Sequence, residues 1–489
     1  ARSTRIYFTI QRQMLEPAAL RSGAAHGLKL EQLCRSYLLA SESPLHWPMF
    51  NDELRQMEQL DIPFFEHFID GDDLPLSHGL PSITGYFKSS GITAANRRIA
   101  NLDSKEIEFQ LQLIRGAIAA RHIGSAAASA ARSPELAAFN ECAAGVELGA
   151  DIYLQQAYQL GEELWSAAIH DRKGRPEWLG MDLGADGESF HFGLIGPSLY
   201  AGSSGIALSF ARLALDRQQK GDTIGEAQWL KRAWVCFESI AELADHPDQT
   251  QFFRLVRNLP YGIAGSGGTL LALLLLQRAG VAEAQELAQH WIGQLRPNRL
   301  QADEGIDVIG GVAGLIGPLL LAGTSQAKEL AVLCGERLLA LQLEGGGWPQ
   351  AQATTTGKPP LTGFSHGAAG MAVALARLAQ ATAESRFADG ALRAIAYERS
   401  VFDAEKRNWP DFRFSLEPTS FMSSWCHGAP GILLGRHGLE ALGLADEAME
   451  EEMASARYST MKALEMMSQR TNSVAHLCCG LLGLTSVLR

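Results

Sequence analysis

The stretch WCHGAPGILL at residues 425–434 places a Gly-x-x-Gly pattern directly before a run of apolar residues. Five other stretches have the same form: LYAGSSGIAL (199–208), LPYGIAGSGG (259–268), VIGGVAGLIG (308–317), FSHGAAGMAV (364–373) and LCCGLLGLTS (477–486). The first glycines of the six stretches are separated by 60, 49, 56, 61 and 52 residues. This near-regular spacing indicates an internal repeat.

Each repeat is long enough for an inner helix, an outer helix and their loops, since an α-helix rises about 1.5 Å per residue. Glycine at the start of the inner helix permits close backbone approach and unusual dihedral angles. Six or seven such hairpins that curve closed form an α/α toroid, so the predicted fold class is all-α. The inner helices would direct their N-termini toward one shared mouth, where negatively charged ligands are favoured.

The chain divides into two parts by composition. Residues 1–190 contain two stretches, 108–123 and 151–169, whose apolar spacing predicts amphipathic helices. From about residue 191, glycine clusters precede long Ala/Leu-rich segments. We therefore predict a mostly helical segment over 1–190 and the toroid over 191–489.

Composition excludes several classes of protein. Among the 489 residues, 46% are hydrophobic and 20% are charged, as in ordinary globular proteins. The formal net charge of −12 argues against a nucleic-acid partner. The longest apolar runs, such as LLALLLL at 270–276, are too short to cross a membrane. Seven cysteines, an odd number, favour a reduced cytoplasmic protein over a disulfide scaffold.

The repeat register brings chemically useful residues together. The two residues before each first glycine are Tyr200/Ala201, Pro260/Tyr261, Ile309/Gly310, Ser365/His366, Cys426/His427 and Cys478/Cys479. If the repeats are equivalent, all these positions face the mouth, and three cysteines and two histidines converge there. The other cysteines are predicted to be buried apolar fillers: Cys34, Cys142, Cys236 and Cys334.

Three thiolates suit Zn²⁺, which prefers sulfur and nitrogen ligands in four-coordinate geometry. Cys426, Cys478 and Cys479 would leave the fourth position open, as in catalytic zinc sites. Two other interpretations remain open at this point. In the first, the cysteines bind no metal and are small core residues at tight helix starts. In the second, the zinc site is structural, and His427 or His366 is its fourth ligand.

Several of these motifs resemble the cyclase domain of class II lanthipeptide synthetases, the LanM enzymes, which are related to LanC cyclases. The resemblance lies in TGFSHGAAG (362–370), SWCHGAPGI (424–432), HLCCG (476–480), DVIGGVAGLIGPLL (307–320) and LYAGSSGIAL. Upstream, QMLEPAALRSG (13–23) and QLQLIRGAIAARH (110–122) resemble the stretch that joins the LanM dehydratase to its cyclase. The resemblance covers essentially the whole chain.

The resemblance implies an activity. LanM enzymes dehydrate Ser and Thr in a precursor peptide and add Cys thiols across the resulting alkenes, which forms lanthionine and methyllanthionine rings. The expected partner is therefore a precursor peptide with a leader and a core rich in Cys, Ser and Thr. One Zn²⁺ per chain is expected in the cyclase. ATP and Mg²⁺ are expected only for the dehydratase part, which would lie before residue 1 of a larger enzyme.

The resemblance also implies site residues. The zinc ligands would be Cys426, Cys478 and Cys479; most of the family has Cys-His at the last pair, so the Cys-Cys here matches the three-cysteine subgroup. His366 matches the catalytic histidine and Asp307 the acidic residue.

The chain departs from the LanC pattern at two positions. An Arg four residues before the first zinc Cys is replaced by Met422, and His427 stands where Tyr is common. His427 is thus a candidate substitute in the acid–base network.

Two other function classes are compatible with the residues. One is a different zinc enzyme that activates a peptide thiol on an α/α barrel, such as a prenyltransferase. The other is a non-catalytic toroid that binds peptides and holds a structural zinc. Activity with a prenyl diphosphate would indicate the first, and a metal ligated by protein alone would indicate the second.

Overall fold

The computed structural model describes residues 3–34, 47–77, 79–123, 149–183, 190–350, 358–413, 420–469 and 476–489. By contacts, the chain forms two compact units, Ala1–Arg115 and Gly116–Arg489. The boundary near residue 190 that we predict from composition stays a prediction.

The first unit is helical and has its own small core. Its helices are α1 (Thr4–Met14), α2 (Gly23–Leu30), α3 (Phe50–Glu58), α4 (Gly91–Ala100) and α5 (Ser104–Ile123), which continues into the second unit, with 3₁₀ turns at Ala19–Arg21, Glu31–Leu33 and Trp47–Met49. Tyr7, Met14, Leu33 and Met57 are almost completely buried against one another. The helix predicted at 108–123 lies within α5.

The next described helix after α5 is α6 (Ala150–Ser166), which covers most of the helix predicted at 151–169. Two short antiparallel ribbons follow, and they contain all the strands found in the described residues. The first pairs β1 (Ile169–His170) with β2 (Pro176–Glu177), and the second pairs β3 (Leu179–Leu183) with β4 (Phe190–Leu194). In the second ribbon Met181 lies opposite Phe192. After β4, the described residues form helices and loops, with one isolated bridge between Asp403 and Asn408.

The repeat region forms the predicted helical hairpins. In chain order its helices are α7 (Ser203–Gln219), α8 (Thr223–Val235), α9 (Glu238–Asp245), α10 (Thr250–Asn258), α11 (Ser266–Arg278), α12 (Glu283–Gln294), α13 (Pro297–Gln301), α14 (Ala313–Ala322), α15 (Ser325–Leu341), α16 (Ala368–Thr382), α17 (Ser385–Ser400), α18 (Ala429–Ala441), α19 (Glu447–Ser468) and α20 (Leu481–Leu488).

The inner helices of the toroid are α7, α11, α14, α16, α18 and α20, and each packs against the next in this order. The outer helices α8, α12, α15, α17 and α19 each pack against the inner helix that precedes them. The all-α class and the α/α toroid are therefore confirmed. A continuous apolar core fills the space between the two layers, with Phe210, Phe237 and Trp291 completely buried.

Steric contact explains why the second position of each motif is glycine. In five of the six repeats a Cβ at that position would lie 1.9–2.6 Å from the carbonyl oxygen six residues earlier, a distance that no side chain tolerates. These pairs are Gly205 with Leu199, Gly314 with Val308, Gly370 with Phe364, Gly431 with Trp425 and Gly483 with Leu477. Glycine here lets the loop before each inner helix fold back onto the first helical turn.

None of the helices in the described ranges combines the length and the apolar character that crossing a bilayer requires.

Candidate functional site

Backbone hydrogen bonds join the loops that precede neighbouring inner helices. Ile263 N donates to Val308 O at 3.0 Å, Val308 N donates to Ser365 O at 3.0 Å, and Ser365 N donates to Cys426 O at 3.4 Å. Gly363 lies where its loop meets the next one: its φ is +94°, and a Cβ would lie 2.6 Å from Cys426 O. The residues before the first glycine of these four neighbouring repeats are thereby brought to one end of the toroid.

A buried ion pair supports two of these loops. Arg436 Nη1 of α18 donates to Glu398 Oε2 of α17 at 2.8 Å, and both side chains are completely buried. Glu398 Oε1 accepts hydrogen bonds from Gly363 N at 3.1 Å and from Ala369 N at 2.9 Å. A carboxylate with donors on both oxygens holds the loop before α16 in place against α18.

The three register cysteines meet at this end. Cys426 Sγ lies 3.4 Å from Cys478 Sγ, which lies 3.2 Å from Cys479 Sγ. All three sulfurs are within 4.8 Å of one another. A tetrahedral zinc site with Zn–S bonds of about 2.3 Å separates its sulfurs by about 3.8 Å. The donor set and its spacing therefore fit one Zn²⁺, with three protein ligands.

The three thiols act on one another electrostatically. Hydrogen bonds from Cys426 and Cys479 stabilise the thiolate of Cys478 and lower its pKa to about 2. The same contact with Cys478, followed by that with Cys479, raises the pKa of Cys426. The cluster thus accepts its first negative charge easily and resists further charges unless a cation is present.

Two hydroxyl groups to which the sequence motifs gave no role also reach the sulfurs. Tyr200, from the first repeat, hydrogen-bonds to Cys478 of the last, so the two ends of the repeat array adjoin here. Burial, followed by this hydrogen bond, raises the pKa of Tyr200. Ser424 hydrogen-bonds to Cys479. Tyr200 shares the register of Cys426 and Cys478, which is the signal that could have identified it.

His476 is a further neighbour of the cluster. It is exposed, and its Nδ1 accepts a hydrogen bond from Cys479 N at 3.1 Å. This local bond shapes the backbone that carries the Cys-Cys pair.

His366 and Asp307 form a pair on adjacent loops. His366 Nδ1 lies 2.7 Å from Asp307 Oδ2, and the side chains are 37% and 25% exposed. Asp307 Oδ1 accepts from Gly310 N at 2.6 Å, which fixes the carboxylate. This geometry orients the imidazole and leaves Nε2 as the nitrogen that can exchange a proton with a ligand.

His427 lies beside His366 but in different surroundings. The two rings are stacked, with centroids 5.6 Å apart and an interplanar angle of 18°. His427 is completely buried, and its Nδ1 lies 3.3 Å from Thr362 O. Burial, followed by the positive charge of Arg413, lowers the pKa of His427 to about 4. The predicted convergence of both histidines is present, but only His366 is open to solvent.

The cysteines outside the register differ from one another. Cys236 and Cys334 are buried as predicted, and burial raises the pKa of Cys236 to about 12. Cys34 is only partly buried, so the prediction of a buried filler is wrong there. Cys142 lies outside the described residues.

A second group of possible metal ligands is formed by Asp245, Glu286 and His290. Both carboxylates are exposed, and such acidic groups are common on surfaces without a metal. We assign it no function.

Comparisons with solved structures give distant likenesses. The unsaturated glucuronyl hydrolase from Bacillus sp. GL1 shares 14% identity over 66% of this chain and 86% of that chain, with a TM-score of 0.37. A possible member of the GH105 family from Salmonella enterica subsp. enterica serovar Paratyphi A shares 14% identity over 58% of this chain and 88% of that chain, with a TM-score of 0.24. At these TM-scores neither likeness carries an argument about this chain. No curated protein matches the sequence.

Comparison with protein families gives two matches in different parts of the chain. Residues 1–67 match a domain of unknown function, DUF4135. Residues 194–489, more than half of the chain, match the family described as lanthionine synthetase C-like protein. The chain therefore belongs to the lanthionine synthetase C-like family, with the domain arrangement typical of class II lanthipeptide synthetases, the LanM enzymes.

Proposed function

We propose that this chain closes thioether rings in a precursor peptide by adding Cys thiols to dehydroalanine or dehydrobutyrine. Membership of the lanthionine synthetase C-like family supports a synthetase-type function. The observation that carries the proposal is the meeting of three thiols from two repeats, with sulfurs within 4.8 Å of one another, at the end of the toroid that also holds the His366–Asp307 pair.

Cys426, Cys478 and Cys479 would hold the metal in this proposal. A bound Zn²⁺ would supply an open coordination position at which a peptide thiol loses its proton and becomes nucleophilic at neutral pH. The hydroxyls of Tyr200 and Ser424 would fix the orientation of the ligating sulfurs, as groups around a metal site commonly do.

The reaction removes one proton, from the substrate thiol, and adds one, at Cα of the alkene. The substrate thiol loses a proton, its sulfur bonds to Cβ of the alkene, and the π electrons move toward the neighbouring carbonyl. Cα then takes up a proton, so the product has the mass of the reactant. His366 is the best placed donor, because it is partly exposed and Asp307 holds its Nδ1 at 2.7 Å. Asp307 would orient the ring and stabilise its charged form.

His427 has a smaller role in this proposal. Its complete burial separates it from solvent, and its lowered pKa of about 4, caused first by burial, keeps it neutral at pH 7. We propose that it supports the catalytic network by packing against His366 rather than by exchanging protons itself. The stacked rings, 5.6 Å apart, support this role.

The substrate follows from the same chemistry. A precursor peptide with a leader and a core rich in Cys, Ser and Thr would present both reacting groups to the mouth. The dehydration that supplies the alkenes would use ATP and Mg²⁺ in a dehydratase part of the full enzyme. A cytoplasmic location goes with this proposal, because an odd number of cysteines, seven, favours a reducing compartment.

The test uses a synthetic peptide that contains one dehydroalanine and one Cys. Mass spectrometry after treatment with a thiol-alkylating reagent follows ring closure, since cyclisation protects the thiol without changing mass. We expect protection to accumulate faster with the chain than without it, and at the background rate with Cys426→Ala. A zinc-loaded chain that leaves alkylation at the background rate would contradict the proposal. A mass gain with an added prenyl diphosphate would favour the prenyltransferase instead.

A further inference from the structure

Glu398 is a completely buried carboxylate that anchors the loop carrying His366 at two points. Its Oε1 accepts hydrogen bonds from Gly363 N at 3.1 Å and from Ala369 N at 2.9 Å. His366 lies midway between these amides, three residues from each. Because Glu398 belongs to α17, an outer helix fixes the backbone on both sides of His366.

This anchor differs from the arrangement in the two preceding repeats. Ala369 is the second residue after the first glycine of its repeat. The equivalent amides in the preceding repeats donate to backbone carbonyls, Ala264 N to Ile309 O at 2.9 Å and Ala313 N to Ile306 O at 3.4 Å. The repeat that carries the proposed proton donor uses a side chain instead, so a substitution can remove the anchor without changing the loop itself.

Between the two anchored amides, the loop is hydrogen-bonded to the loop that carries the first cysteine of the cluster. Phe364 N donates to Trp425 O at 3.3 Å, and Ser365 N donates to Cys426 O at 3.4 Å. Both bonds are longer than typical N–H···O bonds, so they hold the loop only weakly. The shorter bonds to Glu398 supply a further constraint.

Glu398 is itself held in one position. Arg436 Nη1 donates to Glu398 Oε2 at 2.8 Å, and both side chains are completely buried. Arg436 Nε also donates to Glu452 Oε2 at 2.5 Å, and Trp409 Nε1 donates to Glu398 O at 3.0 Å. A buried polar network whose members are hydrogen-bonded in this way is rigid, so the bonds from Glu398 restrict the loop as well.

We propose that Glu398 is a positioning residue for ring closure, which sets the direction of the His366 ring by fixing the backbone on both sides of it. Glu398 does not touch the substrate. It acts through the contact between His366 Nδ1 and Asp307 Oδ2, which are 2.7 Å apart. Without the anchor the imidazole can leave that carboxylate, and small displacements of a reacting group slow reactions strongly. The inference rests on the role of His366 in the proposed function.

The test compares two double variants that both lack the ion pair between Glu398 and Arg436. Glu398→Gln/Arg436→Met keeps a carbonyl oxygen that can accept from the loop amides, whereas Glu398→Met/Arg436→Met has no acceptor. Replacing both charges together avoids leaving one of them buried alone. A difference between the two proteins therefore reports the hydrogen bonds to Gly363 and Ala369 and not the ion pair.

The first measurement is the rate of ring closure in the alkylation assay. Without the acceptor we expect kcat to fall by roughly 10–100-fold, because the proton donor is misplaced. KM should stay within about twofold of wild type, since peptide binding is unchanged. The glutamine variant, which keeps the acceptor, should retain kcat within about threefold of wild type.

The second measurement follows the His366 ring directly and does not depend on activity. A proton between an imidazole nitrogen and a carboxylate oxygen 2.7 Å apart resonates far downfield in a proton NMR spectrum. Loss of this signal in His366→Asn assigns it. We expect the signal in wild type and in the glutamine variant, and its loss or a large upfield shift in Glu398→Met/Arg436→Met.

Equal rates and equal NMR signals in the two double variants would overturn the inference. A rate difference that follows a difference in zinc content would also overturn it, so metal analysis accompanies each assay. Thermal unfolding checks folding, and Glu398→Leu/Arg436→Met replaces Glu398→Met/Arg436→Met if the latter does not fold. If wild type closes no rings, the proposed function fails, and the NMR comparison still decides whether Glu398 positions His366.

Discussion

His366 and His427 occupy the same position in neighbouring repeats, one residue before the first glycine. Their rings are stacked 5.6 Å apart, yet their surroundings differ. His366 is 37% exposed and has a carboxylate 2.7 Å from Nδ1. His427 is completely buried, and its Nδ1 has a backbone carbonyl of Thr362 at 3.3 Å.

The difference shows what a repeat can and cannot determine. The motif sets where the backbone turns into the inner helix, and so brings both rings to the same end of the toroid. The neighbouring repeat then decides the chemistry of each ring. The loop before α14 offers Asp307 to His366, whereas the loop before α16 covers His427. The shared register therefore places the two histidines close together, but it does not give them the same surroundings.

The largest expected effect is on His366. His366→Asn removes the proposed proton donor and should slow ring formation by roughly 10²–10⁴-fold. Zinc content should stay at the wild-type level, because His366 is in a repeat that supplies none of the proposed ligands. Alkylation time courses with the dehydrated peptide measure the rate, and metal analysis of the same samples is the control. Ring closure at the wild-type rate would remove His366 as the donor.

Asp307 should have the next largest effect. Asp307→Asn keeps the size of the side chain but weakens the hold on His366 Nδ1, and misplacement of a reacting group costs up to roughly 10²-fold in rate. The rate in the alkylation assay should therefore fall less than in His366→Asn. The double variant should be no slower than His366→Asn alone, since Asp307 acts through that ring. Additive losses would show that Asp307 acts independently.

His427 should matter more for stability than for rate. His427→Asn removes a buried ring and its contact with Thr362, which should lower the free energy of unfolding by about 1–3 kcal/mol. The rate should fall by less than about tenfold, since His366 and Asp307 remain. Thermal unfolding and the alkylation assay are run on the same protein. A rate loss as large as that of His366→Asn would show that the two histidines have equal roles and would contradict the proposed difference between them.

Much of this site could be predicted from sequence because it follows the repeat. Cys426, Cys478 and Cys479 share the register, so aligning the motifs was enough to bring them together. The burial of His427 could not be predicted in this way, because it depends on how the loop around Thr362 covers the ring.

The toroid itself was predictable for the same reason. Six glycine motifs at similar spacing predict six inner helices, and the structure has them. The two short ribbons between α6 and α7 were not predicted, because two to five residues of strand leave little pattern in the sequence.

Asp307 and Asp303 allow a similar comparison between two carboxylates, with a smaller expected effect, on the pH dependence of stability. Asp307 has a partner for each oxygen, whereas Asp303 Oδ2 is buried with no hydrogen-bond partner among the described residues. Burial raises the pKa of Asp303 to about 6. Because the folded state holds this proton more tightly than the unfolded state, the stabilisation present below about pH 4 is lost as pH rises through about 6.

The stability of Asp303→Asn relative to wild type should therefore rise by about 1 kcal/mol between pH 4 and pH 7.5, less than the full pKa shift would give because the side chain is only partly buried. Thermal unfolding of both proteins at the two pH values measures this. A stability difference between Asp303→Asn and wild type that does not change with pH would contradict the expected titration.

The central claim is that cysteines from two different repeats hold one metal ion. Metal analysis of the purified chain and of Cys426→Ala, Cys478→Ala and Cys479→Ala tests it directly. We predict one zinc per wild-type chain and a lower zinc content in each single variant, because every one of the three thiolates is a ligand. Full zinc content in two of the three variants would contradict the assignment and leave the cysteines as packing residues at tight helix starts.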